Sequence, residues 1–168
     1  QIVAERSAGR CAGLVLINSI AYDAWPVWPV KVVQRLHGLV SRLPDTVVGP
    51  ALRAVLRRMH DTRAVGVVSA QIHWGHYRRH GGVGSLVRQA RALDPGDTIA
   101  VGRRLPDLGL PARVLWGTAD RFLGTEVGCR LARDLGTTVR RIPGARHFVP
   151  EDHPAAVASA INELVDLV

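Results

Sequence analysis

Two residues in this chain are placed to do acid–base chemistry together. Asp120 lies in Gly117-Thr118-Ala119-Asp120-Arg121-Phe122, just after the apolar run Val114-Leu115-Trp116. His147 lies in Pro143-Gly144-Ala145-Arg146-His147-Phe148, just after a run that ends at Ile142. Functional groups of open parallel sheets collect past the carboxyl ends of strands. Neighbouring strands lie about 4.8 Å apart, so loops of this length can bring carboxylate and imidazole into contact. An acid that holds a histidine in one tautomer is the orienting half of a nucleophile–base–acid triad. Phe122 and Phe148 adjoin or nearly adjoin the two residues, where they can shield the pair from water or face a substrate.

A nucleophile is harder to find. An attacking serine on a strand-to-helix elbow needs the pattern Gly-x-Ser-x-Gly. Ser7, Ser19, Ser41, Ser69, Ser85 and Ser159 all lack the two glycines. Gly9-Arg10-Cys11-Ala12-Gly13 matches with cysteine, but a helix precedes it and a strand follows, the reverse of an elbow. Cys11 therefore reads as a small buried hydrophobe. Metal chemistry has no better footing. His73, His76 and His80 have helical spacing, yet no carboxylate lies within that run, and no metal is expected. His153 stands immediately before Pro154 and reads as a surface or capping residue at a helix start. Gly81-Gly82-Val83-Gly84 reads as a flexible link and not a phosphate loop, because no strand precedes it.

The elements that must position Asp120 and His147 follow from hydrophobic patterning. Gly13 to Asn18 is apolar without alternation, which points to a strand buried on both faces. Pro111 to Gly117 reads the same way, and Thr137 to Ile142 is a third strand closed by Pro143-Gly144. Helices are expected over Gln1 to Ala8, Thr125 to Leu135 with Gly136 just past its end, and Pro154 to Val168. Strands and helices therefore alternate in the last third, which argues for a parallel α/β sheet. Between the first strand and that region, apolar residues recur at helical spacing from Val32 to Leu93, after a break at Trp25-Pro26-Val27-Trp28-Pro29.

Composition sets the outer bounds. The chain has 168 residues, 47% hydrophobic and 21% charged, ordinary values for a globular domain and incompatible with disorder. No apolar run approaches the about 20 residues a membrane helix needs. Net charge is +8, and Lys31 is the only lysine. Lys31 to Arg104 carries 13 basic against 4 acidic residues, so that segment alone is +9. Aromatics are only 5%, which leaves little for base stacking, so the charge reads as a solvated helical face with neither nucleic acid nor membrane as a partner. Cys11 and Cys129 are isolated thiols, and cytoplasm is the expected location.

In this arrangement the chain resembles the C-terminal part of an α/β-hydrolase. Leu14 to Ser19 resembles the family strand that follows the nucleophile helix, Pro111 to Asp120 the strand-plus-acid segment, and Pro143 to Pro154 the histidine loop. The resemblance implies parallel strands with flanking helices and an inserted helical cap. It implies a partial core over 1–24 and 105–168 and a cap over 25–104. It makes Asp120 the triad acid and His147 the general base. It places the nucleophile elbow and oxyanion-hole loop upstream of Gln1, so the chain alone is expected to be inactive. Trp25, Trp28, Trp74 and Tyr77 become candidates for lining a substrate pocket beside Phe122 and Phe148. The implied activity is cleavage of a carboxylic ester or related acyl bond of a small molecule, without a cofactor. The alternatives are an inert, ligand-binding remnant, or an epoxide- or halide-processing enzyme with an upstream aspartate nucleophile. The first strand would present an apolar edge, which an N-terminal half of the fold or a second copy is expected to cover.

Overall fold

The computed structural model describes residues 1–167. In chain order its elements are α1 (Ile2–Arg6), β1 (Leu14–Ile17), α2 (Trp28–Arg35), α3 (His37–Val40), α4 (Asp45–Arg58), α5 (Arg63–Arg79), α6 (Gly82–Ala92), α7 (Pro95–Gly102), β2 (Ala112–Gly117), α8 (Thr125–Asp134), β3 (Val139–Ile142), α9 (Val149–Asp152) and α10 (Pro154–Val165). Short 3-10 turns occupy Ala8–Arg10 and Leu105–Asp107. The chain divides into two compact units, Gln1–Trp25 with Pro95–Val168, and Pro26–Asp94.

The first unit is built on three parallel strands in the order β1-β2-β3. Leu14 to Ile17 pair with Ala112 to Leu115, and Val114 to Gly117 pair with Val139 to Ile142. Side chains alternate across the sheet, so β2 feeds two cores. Leu115 joins Ile142, Ala145, Val149 and Ala160 on the α10 face, with Val15, Ile17, Ala156 and Val157 packed around them. Trp116 turns to the other face, against α8, where Gly128 leaves room for the indole. Both side chains are fully buried, which explains why the β2 run is apolar throughout. α8 ends as its glycine signals: Gly136 has φ +64°, its N–H bonds Arg133 O, and Thr137 N–H bonds Ala132 O. This is a Schellman cap, and it turns the chain directly into β3.

The two outer strands differ in a way that matters for solution behaviour. β3 reads Val-Arg-Arg-Ile, and the Arg140 guanidinium holds the Glu163 carboxylate at 2.6 Å. β1 reads Leu-Val-Leu-Ile and, among the described residues, pairs on one side only. Charge protects a sheet edge, whereas a flat apolar edge recruits another strand. The 168 residues expressed alone are therefore expected to associate or precipitate, measured by size-exclusion chromatography with light scattering. A monomer with one cooperative thermal transition would contradict this.

The second unit is helical. Its core is Val48, Trp74, Val83 and Val87, with Val33, Val40, Leu52, Tyr77 and Leu86 packed against it. Trp74 sits against Gly49, where any Cβ would lie 2.5 Å from the ring. Two features differ from the sequence reading. Helix α2 begins inside the proline-flanked tryptophan segment, because Pro29 falls in the first turn, where its missing N–H costs nothing. The glycine stretch is not a link from Gly82 onward but the first turn of α6. Asp45 supplies the reason: its carboxylate accepts the Val83 N–H at 3.1 Å and compensates for poor helix formers.

Candidate active site

The three strand ends carry the site. Asn18 follows β1 by one residue, Asp120 follows β2 by three, and His147 follows β3 by five. The β2 and β3 loops are stitched together by backbone. Thr118 N–H bonds Ile142 O at 3.1 Å, Ala119 N–H bonds Ala145 O at 2.9 Å, and Gly144 N–H bonds Thr118 Oγ1 at 2.8 Å. Pro143-Gly144, with φ +74° at the glycine, turns the chain as Ala145 N–H closes on Ile142 O. The histidine loop therefore doubles back over the end of β2.

Asp120 and His147 meet as expected. His147 Nδ1 lies 2.8 Å from Asp120 Oδ2. The Asp120 side chain is 1% exposed and that of His147 21%. Asp120 Oδ1 accepts the N–H of Phe122 at 2.8 Å and of Leu123 at 3.2 Å, the local turn that an aspartate makes with its own following backbone. Trp116 Nε1–H donates to Leu123 O at 3.2 Å and fixes that turn to the strand beneath it. Asn18 completes the cluster, with Nδ2 2.7 Å from Asp120 Oδ2. Burial pushes the Asp120 carboxyl up, but the His147 hydrogen bond and charge, together with the two backbone N–H groups, outweigh it and hold the pKa below its ordinary value.

That direction has a consequence for acid stability. A carboxyl depressed by folding contributes stability above its unfolded pKa of about 3.9 and loses it as pH falls through the folded value. Melting temperature plotted against pH is therefore expected to fall more steeply below about pH 4 in the parent than in Asp120→Asn. Parallel acid limbs in thermal melts would show that the Asp120 charge adds nothing.

Phe122 and Phe148 flank the imidazole, with ring centroids 5.8 and 5.7 Å from that of His147. Of the other aromatic candidates, Trp25 belongs to the first unit and Trp28, Trp74 and Tyr77 to the second. Trp25 closes the first unit, and its Nε1 is buried without a hydrogen-bond partner. Trp28 is 75% exposed on α2, and Trp74 is 5% exposed in the helical core. The Tyr77 hydroxyl donates to Gln89 Oε1 at 2.7 Å. His76 and His80 approach each other with ring centroids 4.5 Å apart, and among the described residues no group of three or more potential ligands could hold a metal. The member that sequence reading missed is Asn18, whose only signal was a polar amide at the end of an apolar strand.

The chain belongs to the alpha/beta hydrolase family, whose model matches residues 2–160. The curated "Uncharacterized hydrolase YugF" of Bacillus subtilis (strain 168) is 33% identical over 63 residues, which are 37% of this chain and 23% of that protein. An alpha/beta hydrolase fold protein from Burkholderia ambifaria superposes with a TM-score of 0.79 at 22% identity, over 96% of this chain and 60% of that one. A thermophilic esterase from Thermogutta terrifontis gives 0.57 at 21%, over 97% and 58%. The esterase RhEst1 from Rhodococcus sp. ECU1013 gives 0.60 at 18%, over 98% and 59%. The chain thus spans three fifths or less of the length of these relatives. Among the described residues no helix is long and apolar enough to cross a membrane.

Proposed function

We propose that the whole protein cleaves a carboxylic ester or related acyl bond of a small molecule, with His147 as general base and Asp120 as the acid that orients it. The observation that carries this is the 2.8 Å contact between His147 Nδ1 and a buried carboxylate at the ends of adjacent parallel strands. With Nδ1 donating to Asp120, Nε2 is the nitrogen left for proton transfer. A serine in the upstream part of the fold attacks the acyl carbon, and Nε2 takes its proton. The tetrahedral intermediate collapses, and the same proton passes to the leaving alcohol. Water then repeats the sequence on the acyl-enzyme, with Nε2 again taking the proton. Donors for the oxyanion belong to that upstream part as well. These 168 residues by themselves supply orientation and base, not the nucleophile.

Phe122 and Phe148 beside the imidazole shield the pair from water or face the substrate. Residues 25–104 act as the family's cap, with Trp25, Trp28, Trp74 and Tyr77 as candidates for contact with the acyl group. The upstream part of the fold or a second copy covers β1, and the cytoplasm is the proposed location. Acyl chemistry is favoured over epoxide opening because both phenols are otherwise engaged. Tyr22 donates to Asp134 at 2.6 Å under the Arg130 guanidinium, and burial and that carboxylate push its pKa up; Tyr77 donates to Gln89.

The test offers the whole protein p-nitrophenyl esters of increasing chain length beside styrene oxide and a chloroalkane. Ester turnover with covalent labelling of one serine by a fluorophosphonate is expected. Epoxide or haloalkane turnover without serine labelling would replace this reading with an aspartate nucleophile.

A further inference from the structure

We propose that Asn18 is the positioning residue of this site, holding the acid, the β2 end and the histidine loop in one arrangement through a single amide. The inference deepens the acyl-transfer reading and rests on it for its catalytic consequence.

The geometry engages both polar atoms of the side chain. Nδ2 donates to Asp120 Oδ2 at 2.7 Å and to Arg146 O at 3.1 Å. Oδ1 accepts the Gly117 N–H at 2.9 Å. Gly117 ends β2, and Arg146 immediately precedes His147. The residue is 5% exposed, so any of these bonds lost leaves a buried polar group without water to replace it. Its own N–H bonds Leu115 O at 3.2 Å, which holds the backbone against β2.

The backbone selects the residue type as well. Asn18 has φ +40°, a left-handed conformation that few side chains adopt, with asparagine among the most tolerant. Glycine would fit the backbone but lose all three contacts. Aspartate would fit the backbone and the shape, but it has no N–H to donate and sets a second carboxylate against Asp120. Only the amide satisfies backbone, acceptor and both donors.

The chemical role follows from which oxygen is touched. Oδ2 receives both the Asn18 Nδ2–H and the His147 Nδ1–H, while Oδ1 receives the N–H of Phe122 and of Leu123. A carboxylate has about four lone-pair sites, and here all are taken by donors. No site remains for a proton. When Nε2 accepts a proton from the nucleophile, the imidazolium keeps its Nδ1 proton and Asp120 stays an anion. Asn18 also prevents the carboxylate from rotating away from the imidazole.

Asn18→Asp and Asn18→Leu in the whole protein test this. In Asn18→Asp, KM for a p-nitrophenyl ester is expected to stay within about twofold while kcat falls by about 10²-fold, the scale of a misplaced catalytic group. The acid limb of its kcat–pH profile is expected to move up by about one unit, because an added carboxylate favours the imidazolium. A merely structural residue would not move that limb. Nuclear magnetic resonance gives a readout that needs no turnover: the His147 Hδ1 proton is expected far downfield and slow to exchange in the parent, and fast-exchanging in Asn18→Leu. An unshifted acid limb together with an unchanged Hδ1 resonance in both variants would overturn the proposal. If the parent cleaves no ester, the acyl-transfer reading fails while the Hδ1 resonance still decides the role of Asn18. If the variants do not fold, the parent's Asn18 side-chain amide protons decide: two separate, slowly exchanging resonances support the proposal, and rapid exchange overturns it.

Discussion

Replacing His147 by alanine is expected to lower kcat/KM for a p-nitrophenyl ester by about 10⁴-fold or more in the whole protein, with the fold intact. The size of the effect comes from chemistry, not packing. His147 is a partly exposed side chain at a loop and is not part of the Leu115, Ile142, Ala145, Val149 and Ala160 core, so its truncation opens no cavity there. In the proposed mechanism its removal leaves a serine hydroxyl without a base and a leaving alcohol without an acid. Asp120→Asn is expected to cost about 10⁴-fold by a different route. Its amide nitrogen would face His147 Nδ1, which must then accept instead of donate, and the imidazole is held in the tautomer whose Nε2 already carries the proton. The two changes act on one unit, so the double variant is expected to be no worse than the weaker single one, far from the product of the two losses. Circular dichroism and a thermal melt separate lost chemistry from lost fold. Ester cleavage that survives His147→Ala unchanged would remove His147 from the mechanism.

Asp120 and His147 could be read from the sequence because each depends on local pattern. An apolar run marks the strand, a turn residue marks its end, and the reactive side chain lies a few residues on. β2 and the Pro143-Gly144 turn need no information from the rest of the chain. Asn18 could not be read that way. Its role is defined by contacts 99, 102 and 128 residues away, and by a left-handed backbone that no periodicity reports. The start of α6 was hidden for a similar reason. Gly82 and Gly84 have the lowest intrinsic helix preference short of proline, and the carboxylate that caps their turn comes from Asp45, 38 residues before Val83. The tryptophans show the converse limit. Aromatic type marks Trp28 and Trp74 alike, and only the packing separates them: Trp28 is exposed on α2 and Trp74 packs on Gly49.

Gly117→Ala is the smallest change expected to disable the site without touching a reacting group. Gly117 ends β2, and its backbone passes under the histidine loop. A Cβ there would lie 2.4 Å from both Ala145 O and Arg146 O. Both obstacles are backbone, so no side chain can swing aside to make room. The loop itself must lift. Ala119 N–H and Asn18 Nδ2–H donate to those same two carbonyls, so lifting the loop stretches the bonds that register His147 against Asp120. Forcing a methyl group into a closed contact costs about 1–3 kcal/mol, expected as a drop in the urea or thermal midpoint. A displacement of about 1 Å at a catalytic group costs about 10²-fold in rate, so kcat is expected to fall by that order with KM little changed. The distinguishing feature is that stability and kcat fall together from one methyl group that meets neither substrate nor nucleophile. Gly128→Ala makes the comparison sharp. It crowds the Trp116 ring on the opposite face of the sheet, with a nearest approach of 2.5 Å, and it is expected to lower stability with a much smaller loss of kcat. Equal kcat losses in the two variants would mean that the close passage of β2 beneath the histidine loop does not set the position of His147.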